Sequence, residues 1–144
     1  MADIPMDDAI LYKVAAMTYG EMGSEDTEHW RMAASSYFNS IGQGEWADLS
    51  SDELLNQRYF AVQNKNDPYT WATTKKFPSK EEENRFKRVY SFVSAMARGK
   101  EPKSDAQFFW TNPEVEKQTR NKSINFDLLK KTGRVGKFNT YSYK

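Results

Sequence analysis

The sequence predicts a mainly α-helical α+β fold, with several helices and a small β element near the C-terminus. Three observations support this prediction. Apolar residues recur at helical spacing through much of the first hundred residues. Capping signals precede two of these stretches, and beyond Pro102 the pattern changes to short alternating segments. No repeat, linker or low-complexity segment divides the 144 residues, so we expect a single domain spanning residues 1–144.

The first half of the chain predicts three helices. The first begins at Asp7 and Asp8, because acidic residues are favoured at helix starts, and ends between Gly20 and Gly23. Its apolar face comprises Ile10, Leu11, Val14, Ala15 and Met17. The second runs over residues 27–41 and is stopped by the glycines that follow. The third spans residues 50–59, where Ser50 and Glu53 form a capping box.

The second half predicts one strong helix and two strands. Residues 61–78 show no clean period, so we expect an ordered loop whose length and aromatic rings suggest function. A capping box of Ser79 and Glu82 starts a helix that Gly99 closes. Residues 106–110 read as a short strand, 111–121 as polar turns, 124–131 as a helical turn and 140–143 as an end strand.

The composition of the chain argues against some classes of function. Lysine and arginine total 21 against 20 acidic residues, and this net charge of +1 argues against a dominant nucleic-acid role. The C-terminal part is more basic, which would suit either approach to an anionic surface or a plain solvated face. There is no cysteine. The N-terminus lacks the pattern of a signal peptide and no segment is apolar enough for membrane insertion, so we expect neither.

Glu21 is the most informative residue. Ile10, Val14, Met17 and Glu21 lie on one face of the first predicted helix, so a carboxylate continues an apolar stripe at the helix end. Burial there would raise the pKa of the carboxyl group, as a glycosidic general acid requires. The alternative is an ordinary solvated glutamate.

The surroundings of Glu21 resemble a known family. The segment Glu21-Met22-Gly23-Ser24-Glu25, followed by a helix that ends in Asn39-Ser40, is similar to the cell-wall hydrolase family of spore cortex-lytic enzymes. Residues 105–112 and 133–138, with Tyr141, resemble that family's C-terminal strands. The chain departs from the family where Gly23 comes one place early, where Ser40 replaces an arginine, and where the family's C-terminal histidine is absent.

The resemblance implies a lysozyme-like fold, related to lytic transglycosylases and goose-type lysozyme, and cleavage of peptidoglycan glycan strands. Glu21 would protonate the oxygen between N-acetylmuramic acid and N-acetylglucosamine. In a lytic transglycosylase the muramyl 6-hydroxyl then closes on C1, whereas in a muramidase water attacks with the help of a second carboxylate. Glu25 is the candidate for that second group, or else it only stabilises the start of the next helix.

The remaining expectations concern the substrate and its surroundings. Amides match N-acetyl groups and aromatic rings stack on sugar faces, so the candidate substrate-binding residues are Asn39, Tyr69, Trp71, Gln107, Phe109 and Tyr141. Each is also a plausible core or helix-end residue. No cofactor or metal is expected, because His29 is the only histidine and no phosphate-binding loop occurs.

The same expectations extend to origin and partners. A bacteriophage member is favoured, either a virion-associated lysin or an endolysin that reaches the wall from the host cytoplasm. The partner is then the peptidoglycan glycan strand, with phage tail or virion proteins as further candidates. The non-enzymatic alternative is a structural or adaptor protein of a virion.

Overall fold

A computed structural model describes residues 6–111 and 126–144, and it confirms the predicted mainly α-helical α+β class. The described helices and strands are α1 (Asp8–Met22), α2 (Thr27–Phe38), α3 (Ser51–Arg58), α4 (Phe60–Gln63), α5 (Asp67–Thr74), α6 (Lys80–Ala97), β1 (Phe108–Trp110), β2 (Leu129–Val135) and β3 (Phe138–Tyr143). Short 3₁₀ turns occupy Gly44–Trp46 and Phe126–Leu128.

Helix α1 lies at the centre of the helical part. The Asp7 side chain accepts a hydrogen bond from the Ile10 amide and so begins the helix, as predicted. Val14, Ala15, Ala16 and Met17 are all fully buried, so α1 is enclosed on more than one side. It packs against α2, α4, α5 and α6. The last turn of α1, which carries Glu21, is therefore held by several neighbours at once.

The predicted helical boundaries hold with small shifts. Helix α2 ends at Phe38, three residues before the predicted end, and Ile41 is exposed beyond it. The capping box at the start of α3 is present. At α6 only half of the predicted box forms, because the Glu82 carboxylate instead accepts a hydrogen bond from the buried Tyr19 hydroxyl at 2.5 Å.

The predicted loop over residues 61–78 is wrong. Helices α4 and α5 occupy most of it. Asn66 caps α5 by accepting a hydrogen bond from the Tyr69 amide, and Pro68 follows in the first turn, where proline is well tolerated. Both helices are too short to show an apolar period, and their burial comes from contact with α1.

The three strands form an antiparallel sheet in the order β1–β3–β2. Strands β1 and β3 match the predicted segments. Strand β2 was not predicted: the expected helical turn stops at Leu128 and the chain then pairs with β3 from Leu129 onward. Residues 112–125, which include most of the predicted polar turns, lie outside the described residues.

The strand register assigns side chains to two faces of the sheet. Residues directly opposite in an antiparallel pair share a face. Phe108 pairs with Tyr141, Trp110 with Asn139, and Leu129 with Tyr143, and we call this side the aromatic face. The opposite side, here the hydroxyl face, carries Thr140, Ser142 and their neighbours, and Phe138 on this face contacts His29 of α2.

Candidate functional site around Glu21

Glu21 lies in the last turn of α1, half-buried, with its carboxyl group turned toward α4. Its Oε1 accepts a hydrogen bond from the backbone amide of Ala61 at 3.1 Å. Ala61 belongs to the first turn of α4, where helix amides have no partner within the helix. The Ala61 N–H therefore fixes the orientation of the carboxyl group against the packed helices.

Close packing at Gly20 makes this hydrogen bond possible. A Cβ atom at Gly20 would lie only 2.8 Å from the Ala61 Cβ and 3.1 Å from the Tyr69 Cβ. Asn66 adds a polar link, because its Nδ2 donates to the Gly20 carbonyl at 2.9 Å while its Oδ1 caps α5. Glycine lets the end of α1 approach α4 and α5 closely enough for Glu21 to reach Ala61.

Residues 58–61, which we call the junction segment, connect Glu21 with the sheet. At one end is the Ala61 amide. At the other, the Arg58 guanidinium donates to the Gln107 carbonyl and lies 5.0 Å from the centroid of Phe108 on the aromatic face. Between them the Tyr59 hydroxyl hydrogen-bonds to Ser36 at 2.7 Å. The same four residues therefore contact the candidate acid, helix α2 and the aromatic face.

The Glu21 carboxylate is one of the charges that act on the Tyr59 phenol. Burial raises the pKa of the Tyr59 phenol, the neighbouring Arg58 charge opposes that rise, and the Glu21 carboxylate adds to it. The phenol therefore stays protonated and donates or accepts hydrogen bonds as a neutral group. Because its ring is buried and its hydroxyl group is hydrogen-bonded to Ser36, Tyr59 is a fixed polar neighbour of the site.

Glu25 does not accompany Glu21. It is exposed in the turn between α1 and α2, where its backbone amide donates to the Met22 carbonyl at 3.0 Å. The role of capping α2, considered for Glu25 from the sequence, falls to Asp26, whose side chain accepts from the His29 amide. Glu25 therefore neither caps α2 nor lies buried beside Glu21.

Asn39 and Gln107 join the end of α2 to the sheet. The Asn39 Nδ2 donates to the Ser104 and Ala106 carbonyls at 2.8 and 2.9 Å, and the Gln107 Nε2 donates to the Asn39 carbonyl at 2.9 Å. The Gln107 Oε1 accepts from the Tyr143 amide. These bonds hold both amides at the junction between α2 and the sheet, where Asn39 and Gln107 also line a cavity. The expected contacts with N-acetyl groups stay a prediction.

The four candidate aromatic residues fall in two places. Tyr69 and Trp71 are half-buried on α5, and Tyr69 adjoins Gly20, close to Glu21. Phe109 lies on the hydroxyl face with its ring 6.0 Å from that of Phe138, whereas Tyr141 lies on the aromatic face, 5.5 Å from Trp110. Phe109 and Tyr141 therefore point to opposite sides of the sheet and cannot line one cleft.

His29 has a structural environment. Its Nδ1 lies 2.7 Å from the Asp26 carboxylate, and its ring packs against Phe138. A Cβ at Gly136 would lie 2.7 Å from the other ring nitrogen, so the turn between β2 and β3 rests on this ring. The hydrogen bonds from His29 hold the pKa of Asp26 below its usual value. The pair anchors the hairpin to the start of α2.

In residues 6–111 and 126–144, no group of histidine and carboxylate side chains is arranged to hold a metal ion. Within the same part of the chain, none of the helices is long and apolar enough to cross a membrane.

Sequence reasoning missed the residues that position Glu21. Asn66, followed by Asp67 and Pro68, is a recognisable helix start and could have indicated α5. Ala61 acts through its backbone, which leaves no signal in the side chain. Phe60, directly before it, is 51% exposed, an unusual position for a phenylalanine and one that only the structure shows.

Comparisons of the chain with protein-family models, with curated proteins and with solved structures give no match. The resemblance to cell-wall hydrolases therefore remains a prediction from the quoted motifs.

Proposed function

We propose that this protein cleaves the glycan strands of bacterial peptidoglycan, with Glu21 as the general acid. The observation that carries the proposal is the setting of Glu21: a half-buried carboxyl group at a helix end, oriented at 3.1 Å by the Ala61 amide. A general acid must reach one oxygen atom of the substrate, and a fixed orientation lowers the cost of reaching it. The family-like segment around Glu21 supplies the substrate class.

The proposed reaction begins with proton transfer from Glu21 to the glycosidic oxygen between N-acetylmuramic acid and N-acetylglucosamine. The C1–O bond breaks as positive charge develops on the muramyl ring. The muramyl 6-hydroxyl then attacks C1 and gives up its proton to the Glu21 carboxylate, which leaves a 1,6-anhydro sugar and restores the acid. No water is consumed, so both products together have the mass of the substrate.

We favour the lytic transglycosylase reaction over hydrolysis because Glu25, the sequence candidate for a second carboxylate, is not buried beside Glu21. Hydrolytic glycosidases hold a second carboxylate within about 5–9.5 Å of the acid, as a nucleophile or a base. Glu25 is exposed in a turn, and Asp52 is ion-paired with Lys13 at 2.7 Å. A mechanism that uses the substrate's own hydroxyl group needs no such partner.

Glu21→Gln tests the assignment. The variant should fold normally and lose about 10²–10⁴ in rate on purified sacculi, because the amide cannot donate the required proton in the same way. Glu25→Gln is the matched control: it changes the same group four residues on, at an exposed position, and should keep most of the activity. Near wild-type clearing by Glu21→Gln would refute the role of Glu21.

The reaction type is tested by mass spectrometry of the muropeptides. Anhydro-muramyl ends are expected. Products that end only in reducing N-acetylmuramic acid are heavier by one water and would make the protein a muramidase. A folded wild-type protein that clears no sacculi, in solution or in a peptidoglycan gel, would instead favour the structural or adaptor role in a virion.

A further inference from the structure

The aromatic face of the sheet carries two cations in addition to its rings. Lys131 pairs with Tyr141 and Arg134 pairs with Asn139, so both side chains project on the same side as Tyr141 and Trp110. Both are exposed. The third cation of β2, Lys130, pairs with Ser142 on the hydroxyl face, so two of the three cations in the described strands lie beside the rings.

The two cations have no acidic partners among the described residues. The Arg134 Nε donates to the Gly136 carbonyl at 2.9 Å, which fixes the stem of the side chain but neutralises no charge. Several cations elsewhere are paired: Lys13 with Asp52, Arg31 with Glu28 and Glu101, and Arg85 with Glu82. The positive charge of β2 is thus available to an external anion.

The rings form a continuous row beside these cations. Phe108 stacks on Trp110 with centroids 5.0 Å apart, and Trp110 lies 5.5 Å from Tyr141. Phe108 and Trp110 are buried, whereas Tyr141, opposite Lys131, is only partly buried. Tyr141 is therefore the ring of this row that can present a face to a ligand, with the support of the two rings behind it.

The junction segment links the aromatic face with the residue that contacts Glu21. Arg58 lies over Phe108 on this face, and Ala61, three residues later, donates to Glu21. The junction segment therefore adjoins both the face and the candidate acid.

We propose that Tyr141, Lys131 and Arg134 form a binding site for an acidic glycan, in which the ring stacks on a sugar and the cations bind carboxylates. The apolar C–H face of a sugar suits an aromatic ring, and arginine and lysine suit carboxylates. On the basis of the proposed function, the ligand is a peptidoglycan strand whose peptide side chains carry carboxylates. The site would distinguish such a strand from a neutral glycan such as chitin.

Binding is measured in the Glu21→Gln background, so that the polymer stays intact. The double variant Lys131→Gln/Arg134→Gln should bind purified sacculi roughly 3- to 30-fold more weakly at low salt, since each exposed ion pair is worth up to about 1 kcal/mol. The loss should shrink at high salt. Binding to colloidal chitin, which has no carboxylates, should not change.

The matched control is Lys130→Gln/Lys137→Gln. It removes the same charge from the same hairpin, but Lys130 pairs with Ser142 on the hydroxyl face and Lys137 lies in the turn. It should keep nearly all of the sacculus binding. Equal losses from the two double variants would reduce the effect to overall charge and overturn the site, and so would no loss from either.

Tyr141 is tested separately. Tyr141→Leu should weaken binding to both sacculi and chitin, and Tyr141→Phe should restore both, because stacking needs the ring and not the hydroxyl group. Retained binding by Tyr141→Leu would exclude the sugar platform. Competition by duplex DNA as effective as that by soluble peptidoglycan would show a general polyanion site and overturn the proposal.

The results of these binding experiments can be distinguished from the results of the activity experiments on Glu21→Gln. If Glu21→Gln clears sacculi like the wild type, the catalytic assignment fails while the binding comparison still stands. If Glu21→Gln is inactive but the cation variants bind normally, the proposed activity stands and the acidic-glycan site fails.

Discussion

Gly20→Ala should destabilise this protein even though alanine is the better helix former. Glycine at this position lies inside α1 at an ordinary negative φ, so alanine would gain about 1 kcal/mol of helix propensity. The added Cβ, however, would lie 2.8 Å from the Ala61 Cβ, 3.0 Å from the Asn66 Oδ1 and 3.1 Å from the Tyr69 Cβ. Carbon atoms prefer separations of about 3.5–4.0 Å.

The two effects have opposite signs, and the contact distances decide between them. Overpacking costs about 1–3 kcal/mol, and two of these three contacts are with Cβ atoms that move only with their backbone. We therefore place the cost at about 2–3 kcal/mol, in the upper part of that range. Subtracting the gain in helix propensity leaves a net loss of about 1–2 kcal/mol.

Thermal unfolding measures this loss directly. For a chain of this length the melting temperature should fall by about 3–8 °C. Gly133→Ala is the control, because its Cβ would meet only the Thr140 hydroxyl, at an ordinary 3.6 Å, and it should leave the melting temperature nearly unchanged. A Gly20→Ala protein at least as stable as the wild type would refute the packing argument.

The same substitution should also affect activity. Relief of the overlap moves α4 away from α1 and lengthens the Ala61–Glu21 hydrogen bond. Clearing of sacculi, measured well below the melting temperature, should therefore fall in Gly20→Ala and not in Gly133→Ala. Full activity in a destabilised Gly20→Ala protein would show that the orientation of Glu21 by Ala61 is unimportant.

Three further changes test how the surrounding structure is held. Arg58→Lys should cost roughly 1.5–3 kcal/mol in denaturant unfolding, because lysine cannot reproduce the charged hydrogen bonds from one guanidinium to α2 and β1; an unchanged midpoint would contradict this. Ser50→Ala should cost about 1 kcal/mol by loss of the capping box, and Ser50→Gly only a few tenths. Asp26→Asn should lower the melting temperature at neutral pH, because the carboxylate that binds His29 has a lowered pKa. Because the pKa of Asp26 is lower in the folded state, its carboxylate stabilises the fold above the unfolded pKa near 3.8, and this stability is lost as the pH falls through the folded pKa. The melting temperatures of wild type and variant should therefore converge in acid. A difference that persists in acid would refute the linkage.

The sequence by itself determined where most helices begin. Asp7, Ser50 and Ser79 accept hydrogen bonds from amides of the following turn, and such caps depend only on residues three positions apart. Apolar residues at helical spacing predicted α1, α2 and α6 for the same reason, since a helix repeats its face every few residues. The helical class, the long helices and the position of Glu21 at the end of α1 were therefore predictable.

The tertiary structure alone decided the short helices and the second strand. Helices α4 and α5 are stabilised by contact with α1, and strand β2 by hydrogen bonds from β3 along a sequence that holds two lysines and an arginine. Helix α5 has a start signal at Asn66 and Pro68 but no apolar period, and α4 and β2 have no local pattern strong enough to predict them. Their folding depends on surfaces supplied by distant parts of the chain.

In the candidate site, too, some features were predictable from the sequence and others depend on the tertiary structure. The carboxylate was evident from its place on the apolar stripe, but the amide that orients it lies 40 residues away and has no side-chain signal. The separation of Phe109 from Tyr141 and the meeting of Tyr141 with Lys131 follow from strand register, which alternates side chains across the sheet. Local sequence fixes which groups are present, whereas long-range pairing decides which of them face one another.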